Sequence, residues 1–240
     1  MPHSISVEDC TLQVLNAGTL SLRDVDGGEE PFLYSSGNKG PGYVLIKALV
    51  GWRMLFRMLI SQLALKLADC APQIEFVVGN ATGGMIPGWL LSDELEKLYK
   101  RPIPFVYARN MRKKGGHKDL ITGIDNNPYI KMGANGLIVE ELVNFAQTTS
   151  NSTAEIRRLG YTVTHAACIL SYENPVALRE MESQHVSLVS LFTLKDLLDT
   201  AEKHKTHPPK LVASYRMFLE NPLKWQQDRG FEPDKEGGTQ

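Results

Sequence analysis

The sequence predicts an α/β protein with a mainly parallel sheet, and three observations carry that prediction. Short β-branched, apolar runs alternate with helical segments along the chain. One long segment, Tyr43 to Ala68, repeats apolar residues at steps of three and four. Two of the apolar runs lead at once into small and hydroxyl residues and then a helix. That pattern sets backbone N–H groups and a helix N-terminus at the carboxyl end of a sheet, where anions and other ligands bind.

Composition narrows the function classes. The 240 residues suffice for one large α/β domain, or for a core with a small appendage. With 26 basic and 27 acidic residues the net charge is −1, so no global field argues for nucleic acid or an acidic membrane, and any basic site must be local. The three cysteines, Cys10, Cys70 and Cys168, are far apart and lack metal-ligand spacing, which fits a reducing cytosol. The start, Met-Pro-His-Ser with acids by position 8, does not read as a secretory signal. The longest apolar stretch contains Lys47, Arg53, Arg57 and Lys66, four charges that rule out an ordinary membrane span.

Taken in order, residues 1–30 read as an extension or cap, with a helix or strand around Thr11 to Leu22 and a turn at Asp26-Gly27-Gly28. Pro31 to Tyr43 reads as a strand entering a loop of glycines and hydroxyls, in which Ser35 and Ser36 offer donors. Leu45, Leu49, Trp52, Phe56, Leu59, Leu63 and Leu67 form the stripe of a long helix packed on a sheet. Ile74 to Val78 is a strand. Gly79 to Gly88 follows it, containing Ala81, Thr82, Gly83 and Gly84 as a candidate phosphate cradle, and a helix starts near Trp89 and ends at Tyr99. After the strand Ile103 to Tyr107, a basic loop gathers Arg109, Arg112, Lys113, Lys114, His117 and Lys118 around Gly115-Gly116, the kind of lid that folds over a polyanion.

The stretch Gly136 to Gly160 concentrates the chemistry. A strand, Leu137 to Val139, meets Glu140 and Glu141, then a polar loop, then a helix ending near Gly160. Two acids before such a loop suit a sugar's hydroxyls or a Mg²⁺ carried in with phosphates; they also suit plain surface charges at a strand end. Further strands are expected at Thr162 to Leu170 and Val186 to Leu191, and helices at Phe192 to His204 and Lys210 to Glu220. Asn221-Pro222 breaks the last helix, and residues 232–240 read as a polar tail.

Five pieces, in this order, resemble the orotate phosphoribosyltransferases, a branch of the type I phosphoribosyltransferases. They are Pro31-Phe32 with Ser35-Ser36-Gly37 and Pro41-x-Tyr43; Gly79-x-Ala81-Thr82-Gly83-Gly84 with Ile86-Pro87; Pro104-Phe105-Val106-Tyr107-x-Arg109 with the basic loop and Ile121-x-Gly123; Leu137 to Leu142; and Asn221-Pro222-x-x-Trp225 with Asp228-Arg229-Gly230. The resemblance covers most of residues 31–231 and implies that these form the domain. It implies the type I phosphoribosyltransferase fold, a mainly parallel twisted sheet flanked by helices, with a small hood from the N- and C-terminal segments.

The resemblance implies transfer of ribose 5-phosphate from phosphoribosyl pyrophosphate, with Mg²⁺, to the pyrimidine base orotate. Glu140 and Glu141 would hold the ribose hydroxyls. Asn144, Thr148 and Thr149, in the loop from Asn144 to Thr149, would hold the 5-phosphate. Arg109 and Lys113, with Lys114 and His117, would grip pyrophosphate beside the turn of Ala81, Thr82, Gly83 and Gly84. Ser35, Ser36, Gly37 and Lys39, with Asn144, would line the base. A cytoplasmic homodimer is implied as well, the basic loop reaching the neighbouring subunit's site. A nucleic-acid role is not, because the basic loop carries no interleaved aromatics.

The chain departs from the family pattern at chemistry-bearing positions. Asn144-Phe145-Ala146-Gln147-Thr148 stands where the family reads Thr-Thr-Gly-Gly-Ser, unless a shifted register brings Thr148 to Ser152 into the role. Asn110 replaces a lysine, Gly115 a histidine, and no acid follows Pro41-x-Tyr43. Three readings follow: a working enzyme with a variant loop, a silent relative that binds a nucleotide or a partner for regulation or assembly, and an enzyme with a different base.

Overall fold

The computed structural model describes residues 4–34, 36–109 and 120–233, and the chain forms two compact units, one around Val50–Leu194 and one from Val7–Leu49 with the residues from Lys195 on. In chain order the elements are α1 (Val7–Asn16), β1 (Leu20–Leu22), β2 (Phe32–Leu33), β3 (Lys39–Gly40), β4 (Gly42–Val44), α2 (Arg53–Cys70), β5 (Phe76–Asn80), α3 (Met85–Tyr99), β6 (Phe105–Ala108), β7 (Ile121–Thr122), β8 (Asn135–Val143), α4 (Gln147–Arg158), β9 (Thr162–Ser171), α5 (Pro175–Ser183), β10 (Ser187–Thr193), α6 (Leu194–Lys203), α7 (Pro209–Glu220) and α8 (Pro222–Gln227).

The first unit is the α/β core. Its six strands run in the order β10-β9-β8-β5-β6-β7, and every neighbouring pair is parallel except β6 with β7. Strand residues alternate between the two faces of the sheet. Phe76, Val78, Ile138, Ala166 and Cys168 join Ile156 of α4 and Ala177 and Met181 of α5 in one buried cluster. Val77, Leu137 and Val139 point the other way, and the matching buried residues are Leu59, Leu63 and Leu67 of α2 and Leu91 and Leu95 of α3. Each fully buried leucine contributes about 2 kcal/mol of apolar transfer. Burial on both faces is why these strands read as continuous apolar runs.

The long helix expected from Tyr43 begins only at Arg53. Gly42–Val44 is taken as a strand by β1, and Ile46–Gly51 forms a 3₁₀ turn before the helix. Trp52 has non-helical backbone angles and is 54% exposed, so the apolar stripe of α2 starts at Phe56. α5 adds a helix to those expected: Asn174 caps it by accepting from the Val176 N–H at 2.9 Å, and Pro175 opens it.

The second unit gathers both ends of the chain. β1 pairs with β4 within this unit. The Thr11 and Thr200 hydroxyls bond at 2.7 Å between α1 and α6. Tyr34, Tyr215, Phe218 and Trp225 form an aromatic series, with ring centroids 5.8 Å (Tyr34–Phe218), 6.2 Å (Tyr215–Phe218) and 5.5 Å (Phe218–Trp225) apart. Among the described residues, no helix is long and apolar enough to cross a membrane.

Candidate active site

The strand order reverses between β5 and β8. The chain leaves β5 through α3 toward β6, and leaves β8 through α4 toward β9, so the carboxyl ends of these neighbours open a crevice. Asn80 is the last residue of β5, and Glu140 and Glu141 lie near the end of β8. The strand runs through both acids to Val143 rather than stopping at Val139, so the two carboxylates project to opposite faces of the sheet.

Glu140 turns toward α4. It is 8% exposed, and its Oε1 accepts a hydrogen bond of 2.7 Å from the Asn80 amide. The Asn80 carbonyl oxygen in turn accepts from the Ser152 hydroxyl at 2.6 Å. Burial pushes the Glu140 carboxyl up to about 7, the Asn80 and Thr148 hydrogen bonds draw it back down, and Glu141 adds to the rise. Asn80 and Ser152 were not among the residues expected at the site. The signal for Asn80 was a lone amide closing an otherwise apolar strand.

Glu141 turns toward α3. A Cβ built on Gly83 would fall 1.6 Å from its Oε2, so the carboxylate lies directly against the glycine turn. At Gly84 a Cβ would lie 2.0 Å from the Val139 carbonyl oxygen and 2.7 Å from the Asn80 nitrogen. Only glycine fits there. The turn is fixed by the Ala81 N–H to the Ala108 carbonyl (2.8 Å) and the Gly84 N–H to the Asn80 carbonyl (2.8 Å), and Thr82 at its tip is exposed.

The β8–α4 turn is the other half. It comprises Asn144, Phe145 and Ala146; Ala146 sits at φ +60° and α4 starts at Gln147. Thr148 to Ser152 are therefore helical residues rather than a shifted loop. Thr148 is exposed and bonds Glu140. Thr149 departs from the expected phosphate role: it is 1% exposed, and its hydroxyl, like those of Ser150 and Thr153, is buried without a hydrogen-bond partner. The first turn of α4 carries that residue on its inward face. Asn144 is half-buried, and its side-chain oxygen accepts from the Asn174 amide at 3.3 Å.

Arg109 follows β6 immediately. Its N–H donates to the Leu120 carbonyl at 2.8 Å, and its guanidinium lies 5.8 Å from the Tyr107 ring centroid. Lys113, Lys114 and His117, and Ser35, lie outside the described residues. Ser36, Gly37 and Lys39 belong to the second unit, in the β2–β3 hairpin, where Tyr34 and Asn38 close the turn through a 2.8 Å backbone bond. Among the described residues, no three or more His, Cys, Asp or Glu side chains stand together to hold a metal. Of the two acids, the half-buried Glu141 is the one whose carboxylate would fit a Mg²⁺ that arrives with phosphate oxygens and retains its waters.

A parallel sheet carries two acids at its switch point, with a tight glycine turn on one side and a helix start on the other. No protein-family model matches the chain. Among curated proteins, the orotate phosphoribosyltransferase of Streptococcus pneumoniae serotype 2 (strain D39) is 25% identical over 199 residues, 83% of this chain and 90% of that protein. Among solved structures, the UMP synthase of Leishmania donovani aligns with a TM-score of 0.72 at 17% identity, covering 90% of this chain, which spans 42% of that longer protein. The orotate phosphoribosyltransferase of Aeropyrum pernix aligns with a TM-score of 0.63 at 24% identity, covering 82% and 99%. The chain has the fold of the type I phosphoribosyltransferases and is similar in sequence to their orotate branch.

Proposed function

We propose that the protein transfers ribose 5-phosphate from phosphoribosyl pyrophosphate to orotate, giving orotidine 5′-phosphate and pyrophosphate. The observation that carries this reading is the pairing of Glu140 and Glu141 at the switch point, one anchored by Asn80 and Thr148, the other laid against Gly83. As pyrophosphate leaves, the reacting carbon gains oxocarbenium character, and fixed carboxylates near the ribose stabilise that charge. Glu140 and Glu141 hold the ribose hydroxyls. The N–H groups at the start of α4, with Asn144 and Thr148, receive the 5-phosphate. The turn Ala81–Gly84 faces the pyrophosphate, and Arg109 with Lys113, Lys114 and His117 neutralises it and excludes water from the cation.

Mg²⁺ bound with the substrate supplies further charge neutralisation, with Glu141 the residue best set to contact it. Ser35, Ser36, Gly37 and Lys39 line the base. A cytoplasmic homodimer accompanies the proposal, checked by light scattering of the purified protein. Relatives carrying the transferase name favour turnover over a silent binding role.

The test is pyrophosphate release from phosphoribosyl pyrophosphate, Mg²⁺ and orotate. Turnover that depends on orotate and falls by about 100-fold in Glu141→Gln supports the proposal, a loss of the size seen when one transition-state contact is removed. No release at saturating substrates would sink it.

A further inference from the structure

We propose that Gln226 is a positioning residue for Lys39, and that through it α8 sets the preference for a base carrying an anionic group. The inference rests on the reading of Ser36, Gly37 and Lys39 as base-facing residues. Gln226 is 0% exposed, yet its amide is fully used. Its Oε1 accepts the Lys39 N–H at 2.8 Å, and its Nε2 donates to the Asn38 side-chain oxygen and to the Pro222 carbonyl, both at 3.1 Å. Asn38 is itself buried. Two consecutive residues of the hairpin are thus held by one side chain 187 positions away in sequence.

The far end of Lys39 is also placed. Its Nζ lies 5.0 Å from the Phe231 ring centroid, four residues beyond α8. An ammonium over a ring face keeps its N–H donors while its position is restricted. The ordering entropy of a long lysine is then spent in folding rather than in binding. A preplaced cation distinguishes a base bearing a carboxylate from one without it, because leaving the charge unpaired in the occupied site costs affinity.

A double-mutant cycle tests this, with KM read separately for orotate and for phosphoribosyl pyrophosphate. Gln226→Met and Lys39→Met are each expected to raise the orotate KM by about tenfold and to leave the phosphoribosyl pyrophosphate KM within about twofold. The double variant is expected to be no worse than Lys39→Met alone, since one residue acts through the other. Additive losses, equal rises in both KM values, or no change would overturn the positioning role. If Gln226→Met does not fold, Phe231→Leu carries the same comparison from a half-buried position. Wild-type protein that uses no orotate overturns the functional reading and this proposal with it, whereas an active wild type with an unaffected Gln226→Met overturns this proposal alone.

Discussion

The two strand-to-helix turns at the switch point are built from different residues for different reasons. After β5 the chain uses glycine because neighbours leave no room: the Val139 carbonyl crowds Gly84 and the Glu141 carboxylate crowds Gly83. After β8 there is no glycine at all, and Ala146 takes the left-handed backbone at φ +60°. The first turn is constrained by packing and the second by conformation. Loss of Gly84 from the first would break the fold locally, whereas a glycine absent from the second is absorbed as strain in a single residue.

Gly84→Ala is the strongest challenge to that contrast. Its Cβ would meet backbone atoms that have no rotamer to escape into, so a loss of about 3 kcal/mol is expected in denaturant unfolding. A variant as stable as wild type would mean the turn can reopen and that packing does not dictate glycine there.

The second effect is pH-dependent and belongs to the β8–α4 side. The folded Glu140 carboxyl titrates at about 7 against an ordinary 4.5, so the folded state holds the proton more tightly. Between these values the folded chain binds more protons than the unfolded chain. The contribution is complete below about pH 4.5 and is lost as pH rises through 7, a difference on the order of 3 kcal/mol. Glu140→Gln is expected to flatten that slope in unfolding midpoints measured from pH 5 to 8. An unchanged slope would assign the titration to another group.

Gly83→Ala separates packing from chemistry. The colliding atoms are the tip of Glu141, which can swing away, so stability changes little while the carboxylate leaves its place. Calorimetric titration of phosphoribosyl pyrophosphate with Mg²⁺ is expected to weaken by about tenfold, roughly 1.4 kcal/mol. Unaltered affinity would remove Glu141 from the ribose.

These contrasts explain what the sequence revealed. The core strands were legible because burial on both faces leaves β-branched runs. The acids were visible as a pair, but not their opposite directions, because the strand was expected to end at Val139. A carboxylate buried inside a strand is tolerated only with partners, and those partners, Asn80 and Thr148, lie 60 and 8 residues away in sequence. The start of α2 is hidden for a similar reason: Gly42–Val44 has a strand partner in β1 that no local periodicity records. α3 starts at Met85, not Trp89, because Pro87 and Gly88 fit its first turn, with Gly88 packed close to Phe105.

The finest test concerns Ala146 itself. A non-glycine residue at left-handed angles costs about 1 kcal/mol, and glycine there would relieve it. Glycine also raises the entropy of the unfolded chain, by about 0.5 to 1 kcal/mol. The two nearly cancel, so Ala146→Gly is expected to leave unfolding within about 1 kcal/mol of wild type. Its effect belongs in the ligand: without the Cβ, the N–H groups around residue 146 can turn further toward a phosphate. Titration with phosphoribosyl pyrophosphate is expected to tighten by about twofold to fivefold, under 1 kcal/mol. Unchanged affinity would mean that the β8–α4 turn does not receive the phosphate, and that the acids and the β5–α3 turn carry the substrate without it.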